Sequence, residues 1–286
     1  RKADLFSWAT GDGAYAGQVV SDDNGTPSDT SDDWFYYYVP VKDKASEAAG
    51  QDPFAIGVAK SKSPLGPWKD AIGKPLLTTS QTQIETIDPA FFVDEDGTGY
   101  LHFGTFGTQL AIKMKKDATT GRTSYTETET KADGTTPNLH TMKDADNNAN
   151  GPKGFFEAAW VFRKGDTYYN VYDGGKPGSG TATCVESNYQ ACIQYSTSDS
   201  PLGPWKYQGV IVPSGSATTM HPSVLQFGDK WYVTYHTGDK EGGTDFRRAV
   251  CIDEVDWTAD GQMTSPHIRP RPRKRSPPPT WLRTQR

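Results

Sequence analysis

The chain has 286 residues, with 29 Gly, 20 Pro and 12% aromatic residues, a mix that argues against long helices and for many short aromatic strands joined by turns. Its net charge of -5 hides a basic, proline-rich end: residues 266–286 hold Arg269, Arg271, Arg273, Lys274, Arg275, Arg283 and Arg286 and no acid, so the preceding body has twelve more acids than bases. An acidic body repels nucleic acid, and no apolar run approaches the roughly 18 residues of a membrane span.

In chain order, the first clear strand is Trp34–Val39, after the turn residues Ser31-Asp32-Asp33. A second strand, 54–59, leads into Ser63-Pro64-Leu65-Gly66-Pro67-Trp68. The run Ile87–Val93 and the turn Asp94–Gly97 precede the strand 99–103. Residues 113–154, rich in Thr, Asp, Asn and Lys, read as a long polar insertion. The apolar run 155–162, the turn Lys164-Gly165-Asp166 and the strand 167–172 follow. Strand 191–195 then leads into a second Ser-Pro-Leu-Gly-Pro-Trp copy at 200–205. Residues 220–225 and the hairpin around Gly228-Asp229 close the pattern before Ala249–Ile252. The three cysteines suggest a Cys184–Cys192 disulfide with Cys251 free, which would imply secretion. No basic-then-apolar leader opens the chain, so a secretion signal is expected to be missing from it.

Tyr36, Tyr100, Tyr168 and Tyr232 mark the same hairpin strand at intervals of 64, 68 and 64 residues. A repeat of that length holds about four strands, which points to an all-β propeller whose blades bury their faces against one another. Four blades are legible, while residues 1–30 are too short for another whole one. The propeller domain is assigned to residues 1–265 and a disordered basic tail to 266–286.

Polar residues inside apolar runs are the candidates for chemistry. Asp88 opens Ile87–Val93, Glu157 sits among apolar neighbours in Phe155–Phe162, and His221 opens the run before the last hairpin. Desolvation would raise the pKa of Glu157, as a general acid requires. All three lie ahead of their blade's hairpin, so they should meet at one end of the central channel. Paired carboxyl groups there are the equipment of glycoside hydrolysis, and aromatic side chains such as Trp160 and Phe106 would bind sugar by stacking. Residues 146–157 also fit an EF-hand loop, but strands rather than helices are expected to follow, so a calcium-sensor reading is set aside.

With Ser7–Asp12, Gln18-Val19-Val20, Phe54–Ala59, Ile87–Gly104, Phe155–Trp160, both Ser-Pro-Leu-Gly-Pro-Trp copies, His221–His236 and Phe246–Cys251, the chain resembles glycoside hydrolase family 43 over residues 4–264, especially its arabinofuranosidase and xylosidase members. The resemblance implies a five-bladed β-propeller, here N-terminally truncated so that about four blades are complete. It implies an inverting, secreted, monomeric enzyme acting on arabinofuranosyl or xylosyl linkages of plant cell-wall polysaccharide, with no nucleic-acid or membrane partner. It assigns Glu157 as general acid and Asp88 as the residue that tunes its pKa. His221 matches the central-channel histidine, which in some relatives supports a calcium ion or its water, and is therefore the candidate metal partner. No cofactor is required, and a structural calcium in the channel is the one ion allowed for. Arg248, or its neighbour Arg247, matches the arginine near the sugar subsite. The general base of the family, an Asp in an Asp-Pro pair on the first blade, finds no counterpart, because Asp52-Pro53 lies in a later pattern. The chain is thus expected to be impaired, and the alternative is a non-catalytic carbohydrate-binding propeller.

Overall fold

A computed structural model describes residues 5–11, 13–175, 191–213 and 219–264. The expected Tyr36, Tyr100, Tyr168 and Tyr232 each fall on the second strand of one of four antiparallel sheets. The first sheet joins β1 (Ala9–Thr10), β2 (Gln18–Asp22), β3 (Trp34–Asp43), β4 (Phe54–Ser61), β5 (Lys69–Asp70) and β6 (Leu77–Thr78). The second joins β7 (Ala90–Val93), β8 (Gly99–Phe103), β9 (Leu110–Lys116), β10 (Thr123–Thr128) and β11 (Leu139–Thr141). The third runs in simple order through β12 (Phe155–Lys164), β13 (Thr167–Gly174), β14 (Cys192–Ser198) and β15 (Lys206–Val212). The fourth does the same through β16 (Ser223–Phe227), β17 (Lys230–Thr237), β18 (Ala249–Trp257) and β19 (Met263–Thr264). Two short helices, α1 (Lys44–Ala48) and α2 (Thr79–Thr82), sit in loops of the first sheet.

The sheets pack face to face as propeller blades. Tyr38, Ile56 and Val58 of the first meet Phe91, Leu101 and Ile112 of the second. Ala111 and Met142 meet Val161, Tyr168 and Trp205 of the third. Val171, Ile193 and Tyr195 meet Val224, Val233 and Val255 of the fourth. Aromatic stacking reinforces these seams, as between Tyr38 and Phe91, whose ring centres lie 5.0 Å apart.

One expectation needs correction. Residues 113–154 are not simply an insertion between blades: they complete β9, supply β10, and return β11 to pair with β9. Outer strands of a blade are half solvated, so their Thr-rich sequence carries no apolar alternation. Ahead of the first hairpin, β1 and β2 both pair with β3. The described residues thus make four sheets.

The two Ser-Pro-Leu-Gly-Pro-Trp copies prove to be the same device, the connection from third to fourth strand in the first and third sheets. Gly203 has φ of 77°, and a Cβ there would stand 2.8 Å from the Trp205 ring. Glycine is required for both reasons, and Trp205 is fully buried as a result. Cys192 is in a disulfide and Cys251 is free; Cys184, its expected partner, lies outside the described residues, as does the tail. The stretch 146–157 runs from turns into β12, not into a helix, so the EF-hand reading fails. No helix among the described residues is long and apolar enough to cross a membrane.

Candidate active site

Each blade enters its innermost strand through a left-handed residue: Ala16, Asp88, Ala158 and His221, with φ of 40°, 57°, 58° and 50°. Such φ values are costly for residues with a Cβ and persist only where the surroundings enforce them. Asp88 and His221 therefore occupy equivalent places, as expected. Glu157 does not: it lies one residue earlier than the matching turn. The pairing of β12 with β13 slips on both sides of Glu157, a bulge that offsets its side chain from the regular sheet.

Asp88 is 5% exposed, and its Oδ2 is buried without a partner among the described residues. Burial pushes its carboxyl group up to about 7, against the N–H of Ala158, which favours the anion. Glu157 is also pushed up to about 7, first by burial and then by the charge of Asp88. Its Oε2 accepts a hydrogen bond from the hydroxyl of Thr105 at 3.1 Å. The two carboxyl groups thus share one poorly solvated spot, where both cannot ionise cheaply. The backbone of Ala158, next to Glu157, ties the pair together.

His221 lies within electrostatic reach of Glu157 and of Arg248, and burial pulls its pKa down. Arg248 donates through Nη1 to Nε2 of His236 at 3.0 Å and through Nη2 to the Thr219 hydroxyl at 3.1 Å. Its Nε donates to the carbonyl of Asp245. Arg247 is exposed, so of the two arginines it is Arg248 that joins the cluster. Phe106 is 59% exposed and stands edge-on to Phe156 at 5.7 Å, one residue from Thr105 and one from Glu157 respectively. It lies at the mouth of the site. Trp160 goes elsewhere: its indole N–H donates to the carbonyl of Val224 at 2.8 Å, and its ring packs in the seam between the third and fourth sheets.

Two residues of the cluster were not singled out from the sequence. Asp173, the cross-strand partner of Glu157, is fully buried. His236 is pulled down to about 4 by burial and by Arg248, and so stays neutral and able to accept the guanidinium hydrogen bond. Asp173 precedes Gly174-Gly175 and looks like a turn residue in sequence, and His236 sits at the mixed end of a strand. A metal has no ready cage: among the described residues, no three His, Cys, Asp or Glu side chains come together to hold one. The Arg248 cation within reach of His221 opposes a second positive charge there. The residues present do not fit the ion as direct ligands.

Buried paired carboxyl groups at the hub of a propeller are the setting in which a comparison with known enzymes becomes decisive. Residues 9–263 match the model of glycosyl hydrolases family 43. The chain belongs to that family. Among family 43 relatives, a Bacteroides ovatus xylosidase/arabinosidase is 28% identical over 247 residues, covering 80% of this chain and 68% of that protein. An arabinoxylan arabinofuranohydrolase of Bacillus subtilis strain 168 is 32% identical over 221 residues, 73% of this chain and 41% of that one. A solved family 43 β-xylosidase/α-arabinofuranosidase from a compost microbial metagenome, in complex with xylotriose and in a calcium-free form, is 27% identical with a TM-score of 0.66, covering 92% of this chain and 76% of that chain. The chain therefore spans between 41% and 68% of the lengths of these two curated relatives.

Proposed function

We propose that this family 43 chain belongs to an inverting hydrolase of arabinofuranosyl or xylosyl linkages in arabinoxylan-type polysaccharide, with Glu157 as its general acid. The observation that carries the reading is the carboxyl group of Glu157, held protonated to about pH 7 beside Asp88. In that role Glu157 gives its proton to the leaving oxygen as the glycosidic bond breaks. Asp88 keeps the proton on Glu157 beforehand by repelling its anion. Arg248 and His221 contact the sugar, and Phe106 offers it a ring at the mouth. The names of the relatives support the substrate class, and the Cys192 disulfide supports a secreted protein acting outside the cell.

Inversion also needs a carboxylate that activates water, about 6.5–9.5 Å from the acid. Asp173 is a further carboxyl group of the cluster, but both its oxygens accept backbone N–H groups and it is fully buried, so it cannot hold the attacking water. The base, with the fifth blade of the ring, is proposed to be supplied by sequence other than these 286 residues. Turnover of the 286-residue chain by itself should then be lower by about 10²–10⁴-fold. A calcium ion belongs to this proposal only as an ion reached from His221 through water, and no step passes through it. Release of 4-nitrophenol from the α-L-arabinofuranoside and β-D-xyloside tests the reading: Glu157→Gln in a base-containing version should abolish it, and retained turnover would remove Glu157 from the mechanism. If the chain binds pentose yet no base-containing version turns over, the carbohydrate-binding reading replaces it.

A further inference from the structure

Asp173, next to last in β13, stands directly opposite Glu157, and its carboxyl group reaches the backbone of the next blade. Its Oδ2 accepts the N–H of Met220 at 2.8 Å, and the N–H of His221 points between its two oxygens at 3.1 and 3.0 Å. These two amides belong to the turn in which His221 is left-handed, a place where no sheet partner serves them. The carbonyl of Met220 is held in turn by the N–H of His236 at 2.9 Å. The residue before Met220 is Thr219, whose hydroxyl accepts from Arg248, and the His236 ring accepts from the same guanidinium. One buried side chain on the acid's blade therefore fixes the turn that presents both His221 and a seat for Arg248 on the following blade.

We propose that Asp173 is a positioning residue of this hydrolase: by capping the Met220 and His221 amides across the blade seam, it sets where His221 and Arg248 stand relative to Glu157, and so governs pentose binding. The inference rests on the proposed function for its sugar, but its structural half does not. Burial, and after it the charge of Glu157, push the Asp173 carboxyl group above the ordinary carboxylate range despite the two N–H groups. Both amides reach the single oxygen Oδ2, and a carboxamide keeps one carbonyl oxygen that can accept both. Asparagine should therefore substitute for Asp173, whereas alanine leaves two buried N–H groups without an acceptor.

The test is pentose binding by the 286-residue chain, read by calorimetry with L-arabinose and D-xylose well below each variant's melting temperature. Asp173→Ala should raise Kd about tenfold, and Asp173→Asn should bring it back to within about threefold of the parent. Thr219→Val, which removes only the hydroxyl under Arg248, should weaken binding in the same direction and serves if Asp173→Ala does not fold. Unchanged Kd in the alanine variant, or in Thr219→Val where alanine does not fold, would overturn the proposal, as would equal losses in Asn and Ala. If the parent chain binds neither pentose, the functional reading fails instead. The positioning role is then decided by the Arg248 guanidinium in nitrogen NMR: its protons should exchange faster in Asp173→Ala than in the parent and be restored in Asp173→Asn, and an unaltered signal would refute it.

Discussion

Glu157 and Asp88 show how a carboxyl group becomes a usable acid at neutral pH even with the Arg248 cation in reach of both. Desolvation does most of the lifting for each; the Asp88 charge adds to it at Glu157, and the Glu85 charge adds to it at Asp88. Replacing Asp88 by Asn should therefore lower the midpoint of Glu157, and with it the upper limit of the pH range in which the acid is active. The shift is seen as earlier loss of rate on the alkaline side, and an unmoved profile would mean that burial alone sets the proton. These two residues were legible in sequence because a charged group inside an apolar run has few cheap explanations. Asp173 was not, because Asp173-Gly174-Gly175 has the composition of a turn and nothing local shows that the chain stays extended. Trp160 was misleading for the opposite reason: a tryptophan two residues beyond the bulge points into the seam, not the channel.

At the level of elements, the repeated Ser-Pro-Leu-Gly-Pro-Trp hairpin locks the outer edge of two blades to their cores. Trp205 fills the seam between the second and third sheets beside Met142 and Tyr168. Trp205→Ala should cost about 3–5 kcal/mol in chemical denaturation, the range of a large core deletion. Gly203→Ala should also destabilise, by about 1–3 kcal/mol, because the new Cβ meets the Trp205 ring and the backbone is left-handed. Equal stability in the alanine variant would mean that the hairpin can relax away from the tryptophan. The second strands and these hairpins were readable because aromatic alternation and Gly-Pro punctuation are strong signals. The outer strands β10 and β11 were not, since their side chains face water and only pairing with β9 defines them.

Across the whole molecule, the site puts a pH dependence on stability. Asp88 and Glu157 keep their protons to about 7 in the folded chain, against 3.8 and 4.5 as ordinary values. The folded state therefore binds more protons between those limits, and this stabilisation, complete below about pH 4, is lost as pH rises through 7. His102, pulled to about 3, and His236, pulled to about 4, act in the other direction, supporting the fold above 6.5 and losing that support as pH falls towards those values. The two windows overlap, so between about pH 4.5 and 6.5 the opposing effects offset and stability should be nearly flat, falling above that range towards 7 and below it towards 4. The double variant Asp88→Asn, Glu157→Gln should be more stable than the parent at pH 8 and close to it at pH 4, as measured by denaturant unfolding, and equal stability at both pH values would contradict it. The blade order that brings these groups together was visible in the tyrosine spacing, whereas their approach across blade seams is a property of the closed packing alone. The proton on Glu157 at the hub is kept there first by burial and then by its carboxyl neighbour. Carbon NMR titration of the Glu157 carboxyl group tests it without any need for turnover: the account predicts a midpoint near 7 that falls when Asp88 is replaced by Asn, and a midpoint near 4.5 that ignores the substitution would contradict it.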